Sequence, residues 1–185
     1  NDSLINVFKD TNENLENRLR SAYDLSWEFF KSDLDSAKYF ANFLHQKTIS
    51  NNILSFFSLS YATKSEICHL NGNKFLASSY CDSTIKYAQY ADSKNIKFWA
   101  NKKKYNLLDE DLRLEYIYSA LNDTISSYSY KAWLVDRKRR LIDKLDLRVV
   151  FLDSMIKSHN WPIKNKSNLF YKLAIDQTDM GDFKN

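Results

Sequence analysis

The corner that decides the fold of this chain reads Leu70-Asn71-Gly72-Asn73-Lys74-Phe75-Leu76-Ala77. The chain has only two glycines, and the second lies in similar surroundings, Met180-Gly181-Asp182-Phe183. Each follows a long amphipathic stretch, is followed by Asn or Asp, and leads into an aromatic residue. Because glycine adopts positive φ without steric cost, a chain that uses it so sparingly places it where a helix must end and reverse. The sequence therefore predicts repeated helix-turn-helix corners, with Gly72 and Gly181 as structural turns.

Composition narrows the class of protein. The 185 residues are 44% hydrophobic and 27% charged, which is typical of a folded chain, and two glycines with one proline cannot supply the turns of an all-β fold. A net charge of +4 with mixed signs does not favour nucleic-acid binding. The sequence contains no run of about 18 apolar residues, so it predicts no membrane span. The start, Asn1-Asp2-Ser3-Leu4, lacks an initiator Met and a signal peptide, so we expect a mature or excised segment.

Cap-like and corner-like positions recur along the whole chain. They fall near Asp33, Gly72, Asp109, Leu145–Asp146 and Gly181, in steps of 39, 37, 36 and 36 residues. This is the period of a two-helix repeat, so the sequence predicts an all-α chain of about four and a half helix pairs. We expect a single helical repeat domain over 1–185, with a short N-terminal segment 1–13 and repeats at about 14–49, 50–94, 95–125, 126–159 and, incomplete, 160–185.

The repeat resembles the tetratricopeptide repeat. The residues that match its template are Phe170, Leu173, Ala174, Gly181, Asp182 and Phe183 in the last repeat, and Tyr61, Ser65, Gly72, Asn73 and Ala77 in the second. The resemblance implies a right-handed α-α superhelix whose first helices line a concave groove. It also implies a non-enzymatic module that binds a peptide or a partner protein.

The opening of the chain resembles the sensor regions of bacterial tetratricopeptide signalling proteins. The matching stretches are Asp2-Ser3-Leu4-Ile5-Asn6-Val7-Phe8, Leu25-Ser26-Trp27-Glu28-Phe29 and the segment from Asp33 to Ala41. The resemblance implies the sensor or scaffold part of a larger signal-transduction protein. It would be the extracytoplasmic part of a membrane-anchored regulator, or otherwise cytoplasmic.

Basic residues recur at nearly equivalent positions of successive first helices. Lys97 and Lys104 are followed 34 residues later by Lys131 and Lys138. If these four lysines face inward, the groove suits an acidic peptide or a chain carboxylate. The alternatives are a solvated face balanced by neighbouring acidic residues such as Asp109 and Asp136, and a surface for nucleic acid, which the mixed charge does not favour.

The sequence carries no catalytic or cofactor signature. His45, His69 and His159 share no ligand spacing, and the pairs Asp33/Asp35 and Asp109/Asp111 lie where helix capping explains them. We therefore expect no enzyme, no metal and no cofactor. Cys68 and Cys81 flank the Gly72 corner, where either a disulfide or two free thiols are possible.

Two other functions stay open. Residues 163–185 form a first helix without its second, so self-association through this end, as a homodimer or a larger scaffold, is one alternative. The other is a partner of an enzyme, because Trp133-x-x-Asp136-Arg137 and the 34-residue spacing of Trp99 and Trp133 resemble the α-subunit repeats of protein prenyltransferases.

Overall fold

The chain is all-helical, as the sequence predicts. The structure, a computed structural model, describes residues 2–91, 95–122, 128–158 and 160–179. These residues form ten α-helices, one 3-10 turn at Ala88–Tyr90, and no β-strand. The helices are α1 Asp2–Lys9, α2 Leu15–Phe29, α3 Leu34–Ser50, α4 Leu54–Leu70, α5 Lys74–Tyr87, α6 Ile96–Leu107, α7 Glu110–Asn122, α8 Tyr128–Arg140, α9 Leu145–Ser158 and α10 Ile163–Asp179. Within the described ranges, none of these helices has the length and apolar character needed to cross a bilayer.

The helices group into two compact units. The N-terminal unit covers residues 1–108 and the C-terminal unit 109–185. The predicted repeat 95–125 therefore has α6 in the first unit and α7 in the second. Each unit is described here by itself.

Helix α4 is the central element of the N-terminal unit, where it packs against α2, α3, α5 and α6. Its buried face is rich in small side chains, which allow neighbouring helices to approach closely: Ser58, Ser60, Ala62, Thr63 and Ser65. Fully buried leucines from α2, α3 and α4 fill the space between these helices, namely Leu19, Leu25, Leu44 and Leu59. Packing of an apolar face against neighbours supplies most of the stability of such helices.

The predicted N-terminal segment 1–13 contains a helix. Phe8 at the end of α1 is buried, and its ring centroid lies 5.0 Å from that of Phe40 and 4.8 Å from that of Phe43. An eight-residue helix is marginal alone, so α1 depends on its packing against α2 and on this aromatic contact with α3.

Two successive corners share one backbone design. Gly72 has φ of +78° and Asn52 has φ of +51°, both in the left-handed region. The amide of Gly72 donates to the carbonyl of His69, and the amide of Asn73 donates to that of Cys68. The same pattern recurs at the other corner, where the amide of Asn52 donates to the Ile49 carbonyl and the amide of Ile53 donates to the Thr48 carbonyl. These are the two hydrogen bonds of a Schellman cap, so the turn at Gly72 has the conformation that the sequence predicts.

The other predicted corners have different outcomes. Asp33 caps α3, because its carboxylate accepts hydrogen bonds from the amides of Asp35 and Ser36. Asp109 lies between α6 and α7, as expected. The turn predicted at Leu145–Asp146 is wrong, since α8 ends at Arg140 and α9 already begins at Leu145. Gly181 lies outside the described residues.

The earlier end of α8 has a physical cause. The amides of Leu141 and Ile142 donate to the carbonyls of Lys138 and Arg139, which tightens the last turn into a 3-10 geometry. The Arg148 guanidinium then donates from Nε to the Ile142 carbonyl over 2.5 Å. This side chain satisfies a carbonyl that the ended helix leaves open.

In the C-terminal unit, α8 packs against α7, α9 and α10, and α9 packs against α10. The core between α8, α9 and α10 consists of Val135, Leu152, Ile156, Trp161, Leu169 and Leu173. The Trp161 indole donates to the Met155 carbonyl over 2.8 Å, which ties the segment before α10 to α9. The first helix of a pair also contacts the first helix of the next pair, as α2 and α4, α4 and α6, and α8 and α10 show.

Candidate functional site

An open groove of about 360 Å³ runs between the two first helices of the C-terminal unit, α8 and α10. We call it the α8–α10 groove. Its α8 side is one face of that helix, and its α10 side is the polar face of the other. The residues that line it are Ser129, Ala132, Trp133, Asp136, Lys164, Asn165, Asn168, Leu169 and Lys172.

The α10 side places a polar row beside an apolar anchor. Lys164, Asn168 and Lys172 are four residues apart and so lie on one face of the helix. Leu169 and Leu173 are buried against α8 and α9 and fix the rotation of α10. Because Leu169 and Leu173 are buried in the core, the row of Lys164, Asn168 and Lys172 lies at the opening of the groove.

Neither groove lysine has a counter-charge in the described part of the chain. The ion pairs of this unit involve other side chains, and the Lys172 ammonium instead lies 5.8 Å from the centre of the Tyr171 ring. Lys164 is exposed and Lys172 is half-buried. Two ammonium groups are therefore available to an anion that enters the groove.

On the α8 side, Trp133 provides an apolar wall. Its ring stacks on Tyr130, with centroids 5.9 Å apart and an angle of 15° between the planes, and the Arg137 guanidinium lies 5.2 Å from its centre. Two neighbours restrict the indole, so it presents a fixed surface.

Asp136, the single carboxylate among the described residues that line the groove, is already neutralised. Asp136 accepts hydrogen bonds from Arg139 at 3.3 Å and from Arg140 at 3.2 Å. Its charge is shared with two arginines, so it contributes little negative potential. The side chains that face a ligand thus leave the groove net positive.

A buried ion pair sets the spacing of the two walls. Arg139 on α8 donates from Nη1 to Oδ1 of Asp176 on α10 over 2.5 Å. Arg139 is 9% exposed and Asp176 is 1% exposed. A charge-assisted hydrogen bond at this depth holds the helices at a fixed distance, because either partner alone would be a buried charge.

The geometry suits one kind of chemistry. Two ammonium groups attract a carboxylate, while the amides of Asn165 and Asn168 donate to carbonyls and accept from amides. Trp133 and Leu169 offer apolar surface for a side chain. Side chains of these kinds are chemically compatible with an extended chain that carries a carboxylate.

The four lysines of the predicted ladder divide between the units, so the ladder as a whole stays a prediction. Lys104 on α6 pairs with Asp82 on α5 at 2.5 Å, whereas its neighbour Lys103 pairs with Glu66 on α4 at 2.8 Å. The ammonium of Lys104 thus contacts a second helix, and the lysine that contacts the first helix α4 is one position earlier.

Lys138 also contacts second helices. Its ammonium lies 3.9 Å from the centre of the Tyr118 ring on α7 and 4.7 Å from that of Phe151 on α9. Lys97 and Lys131 are half-buried on α6 and α8, and Lys131 is not among the residues that line the α8–α10 groove. The lysines that line the α8–α10 groove are therefore Lys164 and Lys172, and not the lysines of the predicted ladder.

The remaining polar candidates have local roles. The described residues hold no group of three or more His, Cys, Asp or Glu side chains arranged for a metal ion. His45 forms a hydrogen bond of 2.7 Å between Nδ1 and the Ser60 hydroxyl, and His159 lies outside the described residues. Cys68 and Cys81 are free thiols, which decides between the two states that the sequence leaves open.

Sequence reasoning missed the groove residues Lys164, Asn165, Asn168 and Lys172. The signal was present, because a lysine, asparagine, lysine row at intervals of four runs beside the apolar positions Leu169 and Leu173. The row is less conspicuous than the runs of adjacent basic residues on α6 and α8, Lys102–Lys104 and Arg137–Arg140.

The chain matches no protein-family model, no curated protein and no solved structure. The function is therefore argued from the geometry of the chain itself.

Proposed function

We propose that this chain is a non-enzymatic peptide-binding module, and that the α8–α10 groove binds a peptide carrying a carboxylate. The observation that carries the proposal is the pair of lysines, Lys164 and Lys172, on the same helix face and without ion-pair partners among the described residues. Between them, Asn168 offers both a donor and an acceptor to a peptide backbone. In this proposal the chain is the sensor or scaffold part of a larger signalling protein.

We also propose that the helix pairs follow a right-handed tetratricopeptide-like superhelix. The contacts of α2 with α4, α4 with α6 and α8 with α10 support it, because first helices stack on one another in such repeats. A surface built from stacked first helices is extended rather than closed, which favours recognition over chemistry.

The test is binding of a fluorescein-labelled hexapeptide of Asp and Glu with a free C-terminal carboxylate, followed by fluorescence anisotropy. The proposal predicts binding that weakens by about tenfold or more in the Lys164→Glu/Lys172→Glu variant, because two attractive charges become repulsive. Binding should also weaken with added salt, since the groove is open to solvent.

The matched control is Lys166→Glu/Lys144→Glu, which changes the net charge equally. Lys166 is on the same helix but faces the α9 side, where it lies in another pocket with Phe170. This variant should bind the peptide within about twofold of the parent, because neither lysine lines the groove. Equal loss in both variants would show that only net charge matters and would contradict the proposal.

Self-assembly is a second candidate, favoured by one observation. The exposed face of α10 carries large apolar side chains: Ile163 is 86% exposed, Tyr171 is 64% exposed and Phe170 is 47% exposed. Association through this face predicts a concentration-dependent sedimentation coefficient that Ile163→Ser/Tyr171→Ser abolishes. A monomer at every concentration would remove this candidate and leave the peptide proposal intact.

A further inference from the structure

A second surface, which combines aromatic rings with a lysine, lies on the N-terminal unit and shares no residue with the α8–α10 groove. It follows the exposed side of α4 between α3 and α5, and we call it the α4 strip. It consists of five half-buried rings, the half-buried Lys64 and the exposed Asn42. These residues are Asn42 and His45 on α3, Phe57, Tyr61 and Lys64 on α4, and Tyr80 and Tyr87 on α5.

The rings of the α4 strip form one continuous set. The Tyr61 ring stacks on Tyr80 with centroids 6.0 Å apart and on Tyr87 with centroids 5.7 Å apart. Phe57 lies 4.9 Å from Tyr87, and His45 lies 5.5 Å from Tyr61. All five rings are only half-buried. Rings that support one another but stay open to solvent form a preorganised apolar surface.

Lys64 is the unusual member of the α4 strip. Its ammonium forms a hydrogen bond of 2.8 Å to Oδ1 of Asn42, and no carboxylate pairs with it among the described residues. Burial lowers the pKa of Lys64, because the charged form of a partly desolvated ammonium is less stable than it is in water. Lys103 and Lys104 on α6 differ, because each is paired with a carboxylate.

The neighbour of Lys64 does not add a second charge. Burial, together with the charge of Lys64, lowers the pKa of His45 below its ordinary range, so the imidazole is neutral near pH 7. Its Nδ1 is held by Ser60. The centre of the strip therefore presents one ammonium beside an apolar ring surface, and Lys86 lies at its edge over the Tyr87 ring.

We propose that the α4 strip binds an extended peptide segment that places one carboxylate on Lys64 and lays apolar side chains on the rings of Tyr61, Tyr80 and Tyr87. A single central cation matches a single carboxylate. A nucleic-acid strand would require a row of cations to follow its phosphates, and the strip has only the one at its centre. The tyrosine hydroxyls can donate to peptide carbonyls, which adds direction to the apolar contact.

The test uses two probes that differ by one charge, N-acetyl-phenylalanine and N-acetyl-phenylalanine amide, titrated into the ¹⁵N-labelled protein. The carboxylate probe is expected to shift the backbone amide signals of Tyr61, Lys64 and Tyr80 saturably. It should bind about tenfold more tightly than the amide probe, the ratio given by one charge-assisted hydrogen bond. Equal affinity of the two probes, or shifts confined to other residues, would overturn the proposal.

Two variants and a control separate charge from packing. Lys64→Gln should abolish the preference for the carboxylate probe, and Tyr80→Ala should weaken both probes equally. Lys38→Gln removes a half-buried lysine of α3 that pairs with Asp35 and lies outside the strip, and it should leave the preference unchanged. Each variant is compared only after its helical circular dichroism matches that of the parent.

A nucleic-acid strand is tested directly with a ten-nucleotide oligothymidylate on the same samples. Shifts of the strip amides by this probe that disappear in Lys64→Gln would overturn the proposal in favour of nucleic acid. A carboxylate preference that persists in Lys64→Gln would also overturn it. Loss of the preference with no response to the oligonucleotide is the expected result.

Discussion

At the residue scale, the corners depend on one backbone conformation that two different residues supply. Gly72 adopts positive φ at no steric cost, while Asn52 tolerates it because its short polar side chain suits the left-handed region. A β-carbon added at Gly72 would meet no atom within 4 Å. The cost of substitution at Gly72 therefore comes from the backbone and not from crowding.

We expect Gly72→Ala to lower the free energy of unfolding by about 1–2 kcal/mol, because alanine is strained at positive φ. Gly72→Asn should cost less, since Asn52 shows that this side chain is accepted in the equivalent cap. Chemical denaturation with urea provides the measurement, and Ser50→Ala, at an exposed position, is the control. A midpoint unchanged in Gly72→Ala would mean that the corner does not need the left-handed conformation.

The two thiols should differ in reactivity. Burial raises the pKa of Cys81 from 9.0 to about 11, and its Sγ lies 3.1 Å from the Ser65 hydroxyl. Cys68 is half-buried. We expect Ellman's reagent at pH 8 to label Cys68 first and Cys81 only on unfolding, as Cys68→Ser and Cys81→Ser would show. Rapid labelling of Cys81 in the folded protein would contradict its burial.

The same shift sets a pH dependence. A thiol whose folded pKa is raised stabilises the protein fully below pH 9 and loses that contribution as the pH rises towards 11. The difference in stability between the parent and Cys81→Ala should therefore shrink over that interval.

At the element scale, the contact of α8 with α10 depends on the buried pair of Arg139 and Asp176. We expect Asp176→Ala to cost about 3 kcal/mol or more, because it leaves a buried guanidinium that keeps only the partial partnership of Asp136. The exposed pair of Lys157 and Asp153 is the matched control, and Asp153→Ala should cost less than about 1 kcal/mol. Urea denaturation of both variants gives the comparison. Similar costs would show that burial of the pair contributes nothing.

The helices themselves were largely predictable, for a physical reason. Apolar positions at helical spacing and capping residues such as Asp33 act within a few residues, so they can be read locally. The end of α8 has no such capping residue: its last turn tightens, and the Ile142 carbonyl beyond it accepts a hydrogen bond from Arg148 on the next helix. Likewise, α1 is not evident from its own eight residues, because it is stabilised by packing against α2 and against the rings of Phe40 and Phe43 on α3.

At the scale of the whole molecule, the all-α class follows from the scarcity of glycine and proline together with the repeat period. The candidate site could not be predicted from composition and period in the same way. Which lysine of a basic run faces a first helix depends on a rotation of about 100° per residue, and adjacent residues such as Lys103 and Lys104 therefore contact different helices. Glycine positions alone do not predict the Asn52 corner, since asparagine also adopts the left-handed conformation there.

The most direct test of the peptide proposal uses the indole signals of the four tryptophans, Trp27, Trp99, Trp133 and Trp161. Only Trp133 lines the α8–α10 groove, whereas Trp27 and Trp99 contact each other in the N-terminal unit and Trp161 is buried. The acidic hexapeptide should shift the Trp133 indole N–H signal and the side-chain amide signals of Asn165 and Asn168, with the other three indoles unchanged. An unchanged Trp133 signal at saturating peptide, or a shift confined to Trp27 and Trp99, would contradict the account.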